Sequence, residues 1–254
     1  MLQLPDNNSY IEKWKKDGAA PFQGWDFSYI HERHHLEEPN WNYEETARRL
    51  VSNAASILDI GTGGGEVFTR LAPFPRHTVA IEDWHPNVAV ARKRLTKLGV
   101  KVLGVDYKKR LPFQDEEFDL ILNRHSALPI PEIYRILRPG GVLFTQQVDG
   151  HNLEDLTRAF GAKQKWPDNT LPYVQSQLER TGFLIVDSRN WIGKAVFSDV
   201  GAIVYFLKNI PWVVDGFSVT SHLPYLEKLQ QKVNRGMPLR YSIGRFLIKA
   251  IKER

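Results

Sequence analysis

Ser56-Ile57-Leu58-Asp59-Ile60-Gly61-Thr62-Gly63-Gly64-Gly65-Glu66 decides the reading of this chain. An apolar run carries an acid near its end, and a turn follows with glycine at every second position. The run reads as a short buried strand and the glycines as its exit turn. Phe68 and Leu71 then begin a helix. A strand that feeds a helix through such a turn opens a βαβ unit of a parallel sheet. Glycine suits this turn because a Cβ would keep a ligand from lying against the backbone.

The segments downstream continue the alternation. His77-Thr78-Val79-Ala80-Ile81 reads as a second strand ending at Glu82-Asp83. An acid at this strand end, about 20 residues past the glycines, is where a parallel α/β sheet accepts the hydroxyls of a ribose. Glu82 falls in that register, and Asp83 reads better as a solvated turn acid. Asn87 to Leu98 is a helix with Val88, Ala91 and Leu95 on one face. Lys101 to Val105 is a third strand, followed by Asp106-Tyr107 and Leu111-Pro112-Phe113. Phe118-Asp119-Leu120-Ile121-Leu122-Asn123 is a fourth. A helix around Ile133-Leu137 gives way to a Pro139-Gly140-Gly141 turn and a fifth strand, which ends in polar Thr145-Gln146-Gln147-Val148.

The set Asp59, Gly61, Gly63, Gly65 resembles the first motif of class I S-adenosylmethionine-dependent methyltransferases, an acid, any residue, then Gly-x-Gly-x-Gly. The Glu82 strand end, Asp106 with Leu111-Pro112-Phe113, Phe118-Asp119 and Leu137-Arg138-Pro139-Gly140-Gly141 resemble the family's later segments, in the same order across residues 56–148. The dinucleotide fingerprint Gly-x-Gly-x-x-Gly also fits Gly61 and Gly63, but puts its third glycine on Glu66. A carboxylate beside a pyrophosphate is unfavourable, whereas a cofactor with an amine and a sulfonium suits nearby acids. The pattern with Trp25-Asp26-Phe27, Asn123-Arg124-His125 and Thr145-Gln146-Gln147-Val148 is similar to a bacterial subgroup of that family.

The resemblance implies a Rossmann-like α/β fold: a seven-stranded, mostly parallel sheet with helices on both faces and an antiparallel last strand, here Arg245 to Ile251. It implies S-adenosylmethionine as cofactor. Asp59 orients the loop and reaches the cationic amino-acid end through water, Glu82 holds the ribose and Asp106 the adenine amino group. Gly61, Thr62, Gly63, Gly65, Asp83, Tyr107 and Asn123 complete the expected cofactor-binding set.

Three parts are expected: an N-terminal helical arm over residues 1–55, a core over 56–196 and 241–254, and a helical cap over 197–240. Leu171 to Arg180 reads as a helix stopped at Thr181-Gly182, with a sixth strand from Phe183. About fifty residues then intervene before the last strand, where a hairpin would suffice. They hold one helix led by Ser198-Asp199-Val200 and another carrying Leu226, Leu229 and Val233. Parallel strands deliver the chain to their carboxyl edge, where ligands bind. Trp25, Phe27, Tyr29, Tyr205 and Trp212 are therefore the expected walls of a substrate pocket, or else ordinary packing. His31, His34 and His35 have helical spacing but no partner acid or cysteine that stands out, and read as solvated polar residues rather than a metal site.

At 254 residues with no cysteine, the chain has no disulfide framework, thiolate nucleophile or cysteine zinc site. No apolar run approaches the roughly 20 residues of a membrane span, and Met1 to Asp6 lacks the form of a signal peptide. A cytoplasmic protein that avoids membranes is expected. The formal net charge of +5 fits an anionic partner such as RNA, or simply a basic surface. Lys and Arg are scattered rather than striped.

Methyl transfer needs the nucleophile, carbon and sulfur held in line and water kept out, with no metal required. A base is needed only where the nucleophile carries a proton. His125 follows the fourth strand, where this fold places substrate-facing residues, and reads as that general base or as a capping or pocket-lining histidine. Arg124 attracts an anionic substrate or pairs with a surface acid, and Gln146 lines the pocket or caps its strand. The expected function is S-adenosylmethionine-dependent methyl transfer to a small molecule by direct displacement. The alternatives are an RNA methyltransferase and a non-catalytic S-adenosylmethionine-binding protein.

Overall fold

A computed structural model describes residues 7–22, 25–107 and 109–253. The Met1 to Asp6 stretch and Gly24 lie outside the described residues. In chain order the elements are α1 (Asn7–Gly18), β1 (His34–Leu36), α2 (Tyr43–Val51), β2 (Ser56–Ile60), α3 (Glu66–Thr69), β3 (His77–Glu82), α4 (His85–Leu95), β4 (Lys101–Gly104), β5 (Phe118–Arg124), α5 (Ile130–Ile136) and β6 (Leu137–Val148). Then come α6 (Glu154–Ala159), α7 (Leu171–Thr181), β7 (Phe183–Phe197), α8 (Val200–Asn209), α9 (Leu223–Asn234) and β8 (Leu239–Lys252). One sheet of eight strands runs in the order β1-β7-β8-β6-β5-β2-β3-β4.

The five strands β4, β3, β2, β5 and β6 are parallel. β8 lies antiparallel against β6, from Val142 opposite Ile251 to Val148 opposite Arg245. This is the expected α/β architecture with one strand more. The addition is β1, three residues antiparallel to Ala195–Phe197 of β7.

The chain divides into two compact units. The larger comprises residues 39–149, 168–191 and 245–254. Residues 39–55, read from sequence as part of the arm, belong to it. Its strands are apolar on both faces, as parallel strands covered by helices must be. Alternation divides the core in two. Leu58, Ile60, Val79, Ile81, Ile121 and Leu143 pack on one face with Ile133 of α5 and Leu178 of α7. Ile57, Ala80, Leu120, Leu122 and Phe144 pack on the other with Ala47 of α2 and Leu95 of α4. The period of two then fixes where the polar strand ends project. Asp59, Glu82, Arg124 and Gln146 share the α2 and α4 face, and Asn123, Thr145 and Gln147 share the opposite one.

The Pro139-Gly140-Gly141 segment differs from the turn expected of it. β6 runs through it, and the register against β5 shifts there, from Phe118 opposite Leu137 to Leu120 opposite Val142. Residues 138–140 are exposed, and Gly140 takes φ 78°. The segment is a bulge inside one strand, with glycine supplying the left-handed residue.

The smaller unit comprises residues 1–38, 150–167 and 192–244. α8 is apolar nearly all round and buried from Val200 to Leu207, as a helix at the centre of a core must be. Asp199 caps it, its side chain accepting from the Ala202 N–H at 2.9 Å. Arg33 bridges Asp199 at 3.3 Å and buried Asp17 at 3.0 Å. Tyr29 donates its hydroxyl to the same Asp17 carboxylate at 2.8 Å. The histidines fall on a 3-10 turn and a strand instead of a helix. His34 and His35 are consecutive in β1, and His34 stacks on Phe197 at 4.3 Å. Among the described residues no helix is long and apolar enough to cross a membrane.

Candidate functional site

β2 and β3 end side by side, Ile60 opposite Ile81, and the glycine turn leaves from β2. Gly61, Gly63 and Gly65 all adopt positive φ, 76°, 60° and 80°. L-residues with a Cβ avoid that region, so the alternating glycines are a backbone requirement. For two of them packing adds a second reason. A Cβ on Gly61 would collide with the Ser126 side chain, and one on Gly65 would meet Leu95 at 2.9 Å. The close approach that excludes a side chain at these two positions is made by the protein itself. The turn is tied to β3 by Gly61 and Thr62 N–H groups, which donate to the Ile81 carbonyl at 2.9 and 3.1 Å.

Two acids flank the turn. Glu82 accepts from the Gly63 N–H at 2.7 Å and from the Trp84 N–H at 2.9 Å. Burial raises its carboxyl above the usual range, and these two N–H groups offset part of that. Burial pushes Asp59 up to about 7; the Thr62 hydroxyl beside it works the other way, and the Glu82 charge adds to the rise. The Thr62 hydroxyl is buried without a well-formed hydrogen bond. Among the described residues no Lys or Arg forms an ion pair with Asp59 or Glu82. Paired buried acids, offset only by the Arg124 charge that acts on Asp59, beside a bare backbone turn fit the cationic amino-acid end of an adenosylmethionine.

The other expected cofactor residues are placed unequally. Asp83 and Asp106 are exposed, Asp106 being 3.8 Å from Lys109. Tyr107 is buried and donates to the Ile81 carbonyl at 3.1 Å. Asn123 was expected at the cofactor, and the structure corrects this. It is fully buried, and its amide donates to the Ile60 carbonyl at 3.3 Å and the Ala127 carbonyl at 3.0 Å. Its oxygen accepts from Thr145 at 3.0 Å and from Gln147. Both amide hydrogens and the oxygen are spent inside the protein, so Asn123 braces β5 against β2 and β6.

Arg124 ends β5 on the same face as Asp59. Its guanidinium lies 5.9 Å from the Tyr43 ring centroid, and Tyr43 stacks on Phe144 at 4.9 Å. His125 follows at φ 57°, a left-handed conformation a non-glycine residue adopts at some cost. Its own N–H donates to the Gln146 carbonyl at 2.8 Å. The surrounding protein, then the Arg124 and Arg245 charges, hold its imidazole well below the ordinary histidine range. His125 is nonetheless an exposed residue, so the neighbouring charges are the firmer cause. Its Nε2 is 2.9 Å from the Gln146 Nε2, and the Gln146 Oε1 accepts from the Trp41 indole N–H at 2.8 Å. Sequence reading missed Trp41, whose one local signal is its place beside Asn42, the cap of α2.

The five expected pocket walls lie in the smaller unit. Trp25 meets Trp212 edge to face at 5.8 Å, and Tyr29 lies 4.8 Å from Tyr205. Phe27 sits 6.3 Å from Tyr205 and 5.8 Å from Phe206. Trp25 and Tyr29 are exposed, whereas Tyr205 is 1% exposed and donates to the Pro21 carbonyl at 3.0 Å. Tyr205 is therefore core packing rather than a pocket wall. Trp212 borders an open cavity of about 440 Å³ with Phe160, Lys163, Lys165 and His222.

Residues 58–145 match the family model described as methyltransferase domain. An uncharacterized methyltransferase of Mycobacterium bovis is 32% identical over 111 residues, 41% of this chain and 44% of that protein. A ubiquinone biosynthesis O-methyltransferase of Chelativorans is 34% identical over 104 residues, 37% of this chain and 40% of that protein. The aligned stretches thus span less than half the length of either relative. A crystal structure from Bacillus halodurans superposes with a TM-score of 0.57 at 22% identity, covering 83% of this chain and 100% of its own, which speaks to the fold. Strand order, glycine turn and these matches together identify residues 58–145 as a methyltransferase domain.

Proposed function

We propose that the chain binds S-adenosylmethionine and transfers its methyl group to a small-molecule acceptor. The observation that carries this is the buried pair Asp59 and Glu82, neither held in an ion pair among the described residues, at adjacent strand ends beside a turn held open by left-handed glycines. When bound, the cofactor supplies an electrophilic methyl carbon and a thioether leaving group. The residues' task is then to bind, align and exclude water. Asp59 and Glu82 balance the cationic and ribose portions, and Gly63 leaves its backbone bare. Asp106, at the end of the neighbouring strand, takes the adenine. Arg124, His125 and Gln146 stand at the end of the next two strands, where the acceptor enters.

Incubation of the full chain with methyl-labelled S-adenosylmethionine and a cell extract tests this. Label recovered in the small-molecule fraction supports the reading. Label confined to RNA overturns the choice of acceptor, and no transfer together with no cofactor binding overturns the function.

A further inference from the structure

The Trp41–Gln146–His125 chain is more informative than its parts. An indole N–H can only donate, so the Gln146 atom facing Trp41 is its oxygen. The atom facing His125 is then the amide nitrogen, which can only donate. His125 Nε2 must therefore accept, which leaves the proton of the neutral ring on Nδ1. Turning the Gln146 amide over would set its NH2 against the indole N–H, so the arrangement has no second solution. A general base needs a free lone pair, and this ring has none to offer: Nε2 is engaged and Nδ1 is protonated.

Two further facts define what His125 does present. Arg124 forms no ion pair with a carboxylate among the described residues, and the Arg245 charge also acts on the ring. Ser126, the next residue, packs so closely on Gly61 that a Cβ there would collide with it, which puts this segment beside the cofactor turn. The site thus divides by charge: acids at the ends of β2 and β3, the Arg124 cation and a neutral N–H donor at the end of β5. We infer that the methyl acceptor is a carboxylate, an oxygen already anionic at pH 7, received by His125 Nδ1–H and the Arg124 guanidinium, with Gln146 as the positioning residue that fixes the His125 tautomer. This rests on the methyltransferase reading above. No base is then required. An oxygen lone pair forms the bond to the methyl carbon while the carbon–sulfur pair remains on sulfur. An anion and a sulfonium become two neutral groups, and no proton leaves.

Long-range proton–nitrogen NMR of the 15N-labelled full chain at pH 7 tests this, with the His125 signal assigned through His125→Gln. The expected state is the neutral Nδ1–H tautomer. In Gln146→Glu the carboxylate accepts from both neighbours and His125 switches to carrying a proton on Nε2. Trp41→Phe, a milder change, frees the amide to turn and gives a mixture. Benzoate is expected to shift the His125 nitrogens where benzamide does not, and Arg124→Met to weaken that response about tenfold. An Nε2–H tautomer in the unaltered chain, no change in either variant, or no preference for benzoate overturns the inference. Absence of S-adenosylmethionine binding beside an intact tautomer and benzoate response sinks the methyltransferase reading alone and leaves an anion site.

Discussion

Replacing Asp59 by Asn is expected to make the ligand-free protein more stable at pH 8. The folded carboxyl sits at about 7, against an ordinary value of 3.8. Its folded pKa is raised, so between those values the folded protein binds more protons than the unfolded chain, and stability falls as pH rises through that window. At about 1.36 kcal/mol for each tenfold change in proton affinity, the full displacement is about 4 kcal/mol of destabilisation above pH 7. Asn removes that charge but brings amide hydrogens into a buried place, which costs about 1 kcal/mol or more. A net gain of roughly 2–3 kcal/mol at pH 8 remains, shrinking toward zero or below near pH 4. Urea titrations of both proteins from pH 4 to 8 measure it. Glu82 is raised in the same direction and persists in both, so the difference between the two curves reports Asp59 together with its coupling to Glu82. The same variant should lose S-adenosylmethionine affinity, since the site's instability is the attraction it offers a cation. A variant less stable than the parent at pH 8, or a difference independent of pH, would refute the reasoning.

Other substitutions separate binding from folding. Gly63→Val places a β-branched residue at φ 60° and is expected to cost about 1–2 kcal/mol and abolish cofactor binding while the circular dichroism spectrum persists; unchanged affinity would make the turn structural only. Asn123→Leu strips partners from Thr145 and Gln147 in the core and should lose about 2–4 kcal/mol in urea titration, whereas a loss under 1 would show the network to be loosely held. Arg33→Met leaves the buried Asp17 carboxylate without its cation and is expected to cost about 3 kcal/mol, read the same way; a neutral result would show that Tyr29 alone suffices there.

The core was legible because each parallel strand announces itself locally. An apolar run of five or six residues, a strand-end acid or glycine turn, and an amphipathic helix suffice to place β2 through β6. β1 was not legible. His34-His35-Leu36 has neither alternation nor apolar bulk, and it is a strand because Ala195–Phe197 of a distant strand offers free backbone groups. β7 and β8 extend well past the apolar runs that signalled them, to 15 and 14 residues, and bury isolated residues there, Ala195 and Phe197 in β7 and Leu239, Tyr241 and Ile243 in β8, too widely spaced among polar ones to announce a strand. The places of Asp59, Glu82 and the three glycines were readable in sequence, since strand ends and exit turns are set by the local pattern. Asn123 was misassigned because a strand-end amide looks alike whether it faces a ligand or two backbone carbonyls. Trp41, 105 positions from Gln146, makes a contact that only the folded chain reveals.

Calorimetry with S-adenosylmethionine at pH 7, run in two buffers of different ionisation enthalpy, tests the central claim most directly. A cation bound against Asp59 drives off its proton, so binding should release roughly half a proton per site, for a carboxyl that is about half protonated at that pH. Heat from NAD with none from S-adenosylmethionine, or S-adenosylmethionine binding with no proton released, would contradict it.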